Sequence, residues 1–244
     1  VWTFEPFVLP VAGMSEEKDS WLGRYETFNR DAYSCPSCGS DDRCRMFALY
    51  MPKYFARGHT DRAASVLDIA PSQCLSILMR DALRVWHCPV VYRTADLVLP
   101  WVDDRVDITN MQCYRDEMFD FFICSHVLEH VPDDRGALRE LYRVLKPGGE
   151  GLMMVPIRLD LDAIDEDFSA GPAERRRRFG AEEHVRMYSR QGFVRRVQDA
   201  GFKVEQYGVS DFGANLFRRC GIDPGSILYV AAKPLFVNSG REMS

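Results

Sequence analysis

Hydrophobic and polar positions follow two periods along this chain, and the pattern is clearest from residue 119 to residue 157. Residues 119–124 are a short apolar run, the composition of a parallel strand covered on both faces. Asp133 and Asp134 then offer helix caps, and Ala137, Leu138, Leu141, Val144 and Leu145 recur at helical spacing. Pro147, Gly148 and Gly149 are expected to stop that helix, and residues 150–157 read as the next strand. Upstream, residues 65–72 predict a first strand and its turn, followed by a helix from Ser72 to about Leu83 that buries Leu75, Leu78 and Met79. Residues 89–96 predict a second strand, and residues 105–110 a third with its loop. Downstream come a helix over 191–200 ended by Gly201, a strand over 202–208, a connection over 211–225 and a last strand over 226–233. Strand and helix in alternation predict an α/β fold with a parallel sheet joined by right-handed crossovers.

Two regions break this order. Residues 1–34 have no clean period but carry Trp2, Phe4, Phe7, Trp21, Tyr25, Phe28 and Tyr33. They are expected to pack on the domain through these aromatics; the sharper alternative is a lid over the substrate. An amphipathic helix over 45–56, ended by Gly58, leads into the domain. The second region, 158–188, holds an acidic run from Asp160 to Asp167 and four consecutive arginines, Arg175 to Arg178. On a helix those four point around most of the circumference. A solvated insertion with internal ion pairs is therefore expected, against a cap that binds an anionic substrate group. The division is an N-terminal arm and lead-in helix over 1–57, a main domain over 58–235 with a cap insertion at 158–188, and a tail over 236–244.

Composition narrows the function classes. A formal net charge of -5 disfavours a general nucleic-acid surface. No apolar run reaches the roughly 18–20 residues that span a bilayer. The first residues lack the basic start and apolar core of a signal peptide, and the chain opens on Val1, as a stretch taken from a longer protein would. Only three of the 8 cysteines cluster, so reduced thiols in a cytoplasmic protein are expected rather than a disulfide framework.

Those three, Cys35, Cys38 and Cys44, mark the first candidate chemistry. A Cys-x2-Cys followed by Gly39 has the shape of a zinc knuckle, because the turn aims two thiolates at one ion. Cys44 is a candidate third ligand and His59 a distant fourth; the alternative is a tight turn with free thiols. The second candidate lies just after residues 119–124. There His126, Glu129 and His130 crowd the carboxyl end of the strand, which is where open α/β sheets bind ligands. The third is His184, Arg186 and Tyr188, whose side chains share one face of an extended segment. The three overhang the pocket, or else His184 and Arg186 anchor the insertion to the domain.

The phrase His126-Val-Leu-Glu-His-Val-Pro132, followed by Leu-Tyr-Arg-Val-Leu-Lys-Pro-Gly-Gly149, resembles the fourth strand and following helix of class I S-adenosylmethionine-dependent methyltransferases. The Cys-Pro-x-Cys-Gly-Ser lead-in, Ile69-Ala-Pro71 and His184-Val-Arg-x-Tyr188 are similar to a subset of that family. The resemblance implies a Rossmann-like, seven-stranded, mostly parallel sheet with its last strand antiparallel and helices on both faces. It implies S-adenosyl-L-methionine as cofactor, with cofactor contacts from Asp68, Ala70, Pro71, Ser72, Asp96, Leu97, Asp107, Ile108, Ser125 and His126. Asp96 would accept both ribose hydroxyls, and Asp107 would approach the adenine amino group. Ala70, Pro71 and Ser72 stand where the family usually has glycines. On the acceptor side, His126, His184 and Tyr188 are the catalytic candidates and His130 and Arg186 the substrate-binding ones. The expected activity is methyl transfer to a small-molecule acceptor, with no nucleic-acid or membrane partner. The alternatives are a methyltransferase acting on a glycan or other polymer, and a non-catalytic binding module.

Overall fold

The computed structural model describes residues 25–55, 57, 63–85 and 89–235. Trp2, Phe4, Phe7, Trp21, Gly58, His59 and the tail lie outside them. Seven strands form one sheet: β1 (Ala64–Ile69), β2 (Val90–Asp96), β3 (Asp104–Arg105), β4 (Phe119–Ser125), β5 (Leu145–Met154), β8 (Lys203–Tyr207) and β9 (Leu228–Ala232). Their order is β3-β2-β1-β4-β5-β9-β8. All neighbours run parallel except β9, which is antiparallel to both β5 and β8. This is the expected Rossmann-like sheet with one reversed strand.

Strand periodicity divides the core into two layers. Leu67, Ile69, Phe122 and Cys124 face one side, where they meet Ala137, Leu138, Leu141 and Val144 of α3 (Asp134–Val144) and Phe193 and Val197 of α5 (Arg190–Asp199). Val66, Phe121 and Ile123 face the other, against Met46, Phe47, Tyr50 and Tyr54 of α1 (Asp42–Phe55) and Leu75 and Met79 of α2 (Gln73–Val85). Both faces of β1 and β4 are covered, which explains their mostly apolar composition around Ser65, Asp68 and Asp120. Two pairs of alternate residues on one strand thus serve two cores.

Three sequence expectations change in detail. The helix after Asp133 ends at Val144, before Pro147, because Leu145 turns extended while its N–H still reaches the Leu141 carbonyl. Pro147, Gly148 and Gly149 then lie within β5, beside an irregular register at Phe119/Phe121. The third strand pairs over only two residues, since Asp107 folds the chain by accepting from the Thr109 N–H and hydroxyl. The helix expected over 45–56 starts earlier, where Asp41 accepts from the Cys44 N–H as its cap.

The insertion after β5 carries a two-stranded ribbon of β6 (Asp165–Glu166) and β7 (Arg186–Met187), with α4 (Pro172–Phe179) between them. Its charges pair internally: Arg176 with Glu182, Arg177 with Glu174, and Arg178 with Asp165 and Asp167. The described part of the N-terminal arm bridges Tyr25 to Arg158, and its buried Glu26 accepts from the Tyr229 hydroxyl at 2.7 Å. Two short helices, α6 (Val209–Phe212) and α7 (Ala214–Arg219), fill the connection to β9. No helix among the described residues is long and apolar enough to cross a membrane.

Candidate active site

The strand order reverses between β1 and β4, so the carboxyl ends of these neighbours open a crevice at the switch point of the sheet. Two non-glycine residues with left-handed backbones flank it: Ala70 (φ 51°) after β1 and His126 (φ 56°) after β4. Each is pinned by a backbone bond, Ala70 N–H to the Ala95 carbonyl and His126 N–H to the Met154 carbonyl, both at 2.8 Å. Such conformations cost of order 1–2 kcal/mol and persist where neighbours over-determine them. Ala70 therefore makes the turn that glycine usually makes. Ala70→Gly is expected to raise stability by up to about 1 kcal/mol, read as a higher melting temperature; the gain is limited by the extra freedom of glycine in the unfolded chain.

After Ala70, Pro71 is buried, and Ser72 starts α2 by accepting from the Leu75 N–H at 3.2 Å. Asp68 lies deeper. It is almost fully buried, accepts from the Tyr92 hydroxyl at 2.6 Å, and burial pushes its carboxyl up to about 7. It supports the turn from beneath. Because the folded carboxyl binds its proton more tightly than the unfolded one, its contribution to stability declines as pH rises from about 4 through about 7. Asp68→Asn should thus change stability little at pH 4 and raise it relative to wild type at pH 8. Thermal melts at the two pH values check this; an equal effect at both would refute it.

Asp96 ends β2. Its Oδ1 accepts from the Val98 and Leu99 N–H groups, both at 2.7 Å, which closes the loop. Its Oδ2 accepts no hydrogen bond from the described residues. Beside it Leu97 is 56% and Val98 68% exposed, an apolar surface next to an acid. Asp107 is exposed, and Ile108 is buried behind it.

On the other side, the elbow after Ser125 gathers His126, Glu129 and His130, and the insertion brings His184 to them. The His130 and His184 rings meet edge to face with centroids 4.6 Å apart. His184 Nδ1 lies 2.8 Å from the Phe179 carbonyl. A carbonyl only accepts, so Nδ1 carries the proton and Nε2 keeps its lone pair in the neutral ring. Burial holds His126 well below the usual imidazole range, lowers His130 and raises the Glu129 carboxyl.

Arg186 and Tyr188 are placed differently from His184. The Arg186 side chain is wholly buried. It donates to the carbonyls of Leu128 (2.6 Å), Pro132 (2.8 Å) and Val131, and pairs with Glu166 at 3.1 Å. Tyr188 is buried and donates to Asp134 at 2.7 Å. Both support the elbow from below and neither reaches the surface, which fits the anchoring alternative. Asp134, read from sequence as a cap, instead sits between Arg196 and Tyr188; Asp133 caps α3 by accepting from the Gly136 N–H. No local signal marks that burial, because the partners come from the distant positions 188 and 196.

The cysteine lead-in forms its turn, with Gly39 left-handed and its N–H on the Cys35 carbonyl at 2.7 Å. The thiols of Cys35 and Cys38 approach each other, but Cys44 does not join them: its Sγ lies 3.5 Å from Ser72 Oγ. Among the described residues, the group that brings three potential metal ligands together is Glu129, His130 and His184 instead.

Residues 53–207 match the family described as methyltransferase domain. A stretch of 34 residues is 50% identical to the ubiquinone biosynthesis O-methyltransferase of Pseudomonas putida (strain W619). That match covers 14% of this chain and only 15% of the curated protein. The citrinin polyketide synthase CMeT domain superposes with a TM-score of 0.52 at 12% identity, over 78% of this chain and 52% of that one. An S-adenosylmethionine dependent methyltransferase from Mesorhizobium loti aligns at 14% identity over 77% of this chain and 99% of its own, with a TM-score of 0.48. At these identities the structural likeness is one of fold.

Proposed function

This chain belongs to the methyltransferase domain family, and from that premise we propose that it transfers a methyl group from S-adenosylmethionine to a small-molecule acceptor. The observation that carries the reading is the arrangement at the switch point: a left-handed turn after β1, an acid with a free oxygen at the end of β2, and a polar elbow after β4. The residues fit an adenosyl ligand. Asp96 Oδ2 is available to ribose hydroxyls, exposed Leu97 would offer an apolar face to the adenine, and exposed Asp107 would accept from its exocyclic amine. Ala70, Pro71, Ser72 and Ser125 would border the methionine part.

When bound, the cofactor supplies an electrophilic methyl on sulfur and a leaving group that departs neutral. The protein then chiefly positions the reactants. His126 Nδ1 lies 3.2 Å from Glu129 Oε1, which directs Nε2 away from the carboxyl. In this reading Nε2 takes the proton of a hydroxyl acceptor. His130 and His184 line the acceptor side, and Arg186 and Tyr188 hold the elbow in place. The net charge of -5 supports a small molecule over a nucleic acid.

Titration calorimetry with S-adenosylmethionine tests the reading. One cofactor per chain at micromolar affinity is expected. A folded protein that takes up none would leave only the non-catalytic binding module.

A further inference from the structure

Glu129 is fully buried, yet among the described residues neither of its carboxylate oxygens has a hydrogen-bond partner. The approach of His126 Nδ1 at 3.2 Å is close enough for an ion pair but lacks hydrogen-bond geometry. A buried carboxyl group without donors is costly, and the usual resolution is a cation. Two imidazoles stand beside it. One ligand atom each from Glu129, His130 and His184 lies within 4.8 Å of the other two. From this we infer that Glu129, His130 and His184 form a binding site for a divalent transition-metal cation.

The donor set defines the class of cation. One carboxylate and two imidazoles suit zinc, manganese or ferrous iron, whereas calcium and magnesium favour all-oxygen surroundings. Metal–ligand bonds of roughly 2.0–2.2 Å in a tetrahedral shell set ligand atoms about 3.3–3.6 Å apart, so a spacing within 4.8 Å closes onto an ion with a movement of about 1.5 Å or less. Three protein ligands leave further positions open, as in catalytic rather than structural sites.

The support around the three side chains is already built. The Nδ1–H bond from His184 to the Phe179 carbonyl fixes the tautomer that leaves Nε2 as the ligand. The Val185 N–H donates to the Glu129 carbonyl at 2.9 Å and holds the two contributing segments together. Arg186 locks the carbonyls of Leu128, Val131 and Pro132 on either side of Glu129 and His130. The site uses residues that the cofactor reading leaves without a cofactor contact, and it lies on the acceptor side of the proposed crevice. In placing the cation on that side the inference rests on the proposed function; the binding itself does not.

The test uses the full chain, freed of any affinity tag and stripped with a chelator. Titration with manganese alone, followed by calorimetry and thermal melts, is expected to show one ion per chain and a raised melting temperature. Glu129→Gln and His184→Ala should each weaken manganese binding at least 10-fold and abolish the thermal shift. Both variants should keep their cooperative melts and wild-type affinity for S-adenosylmethionine. A Cys35→Ser/Cys38→Ser double variant should bind manganese like wild type. Absence of binding to the wild type, unchanged affinity in Glu129→Gln and His184→Ala, or loss of binding in the cysteine variant would each overturn the site. Cofactor affinity measured on the same samples separates this outcome from a failure of the methyltransferase reading.

Discussion

Asp96→Ala is expected to weaken S-adenosylmethionine binding on the order of 100-fold. A hydrogen bond to a charged group contributes about 1.5–3 kcal/mol, and one carboxylate oxygen meeting two ribose hydroxyls would lose about 3 kcal/mol, or roughly two powers of ten. The carboxylate also holds its own loop, through the Val98 and Leu99 N–H groups. Asp96→Asn separates the two roles. Its amide oxygen can still accept from the loop, so the fold at Leu97 stays, while the charge is gone; about a 10-fold loss is expected. Asp107→Ala serves as the comparator. Its Oδ1 bonds Thr109 in an exposed turn, and a smaller effect is expected there. Calorimetry on the three variants gives the ranking. Cofactor affinity in Asp96→Ala equal to that of wild type would remove the ribose role.

The largest loss of stability is expected at Asp134. Its carboxylate takes the Arg196 guanidinium at 2.6 and 2.8 Å and the Tyr188 hydroxyl at 2.7 Å, with Arg186 Nε at 3.6 Å. The side chains of Asp134, Arg186 and Arg196 are 2%, 0% and 9% exposed. Asp134→Ala leaves two buried guanidinium groups to share Glu166, itself one-third exposed. Breaking a buried pair on one side costs about 3–5 kcal/mol. For a chain of this size that corresponds to a melting temperature lower by about 10 °C. Asp134→Asn keeps an acceptor for Tyr188 and should cost less. Urea unfolding of both variants decides the matter; a loss under about 1 kcal/mol in Asp134→Ala would show that the network is solvated.

These two residues also show what the sequence can reveal. Asp96 was legible as a strand-end acid because that signal is local, and the strands were legible from apolar runs that both cores require, whereas the reversed last strand came with the family resemblance. Asp134 was not, since its partners at 186, 188 and 196 belong to the insertion and the next helix. His184, Arg186 and Tyr188 alternate as an extended segment must, but alternation gives a shared face and not its direction. In the fold Arg186 and Tyr188 turn into the protein, while His184 reaches the surface beside His130. Ala70 looked like a lost glycine, and the backbone shows that alanine accepts the same turn at φ 51°. Glu129 was placed at the elbow from sequence, but its lack of donors is a property of three-dimensional packing.

The Arg186 clamp has a consequence for traffic through the site. The insertion is joined to the elbow by bonds to Leu128, Val131 and Pro132 and by the ion pair with Glu166, all around one buried guanidinium. Swinging this part of the insertion aside would break them together, so it opens by cooperative local unfolding and not by hinge motion. Amide protons along 185–188 should accordingly exchange with solvent about as slowly as those of the central strands. The segment is then a fixed wall, and under the proposed function the acceptors admitted would be selected by the shape of that wall and not by its movement.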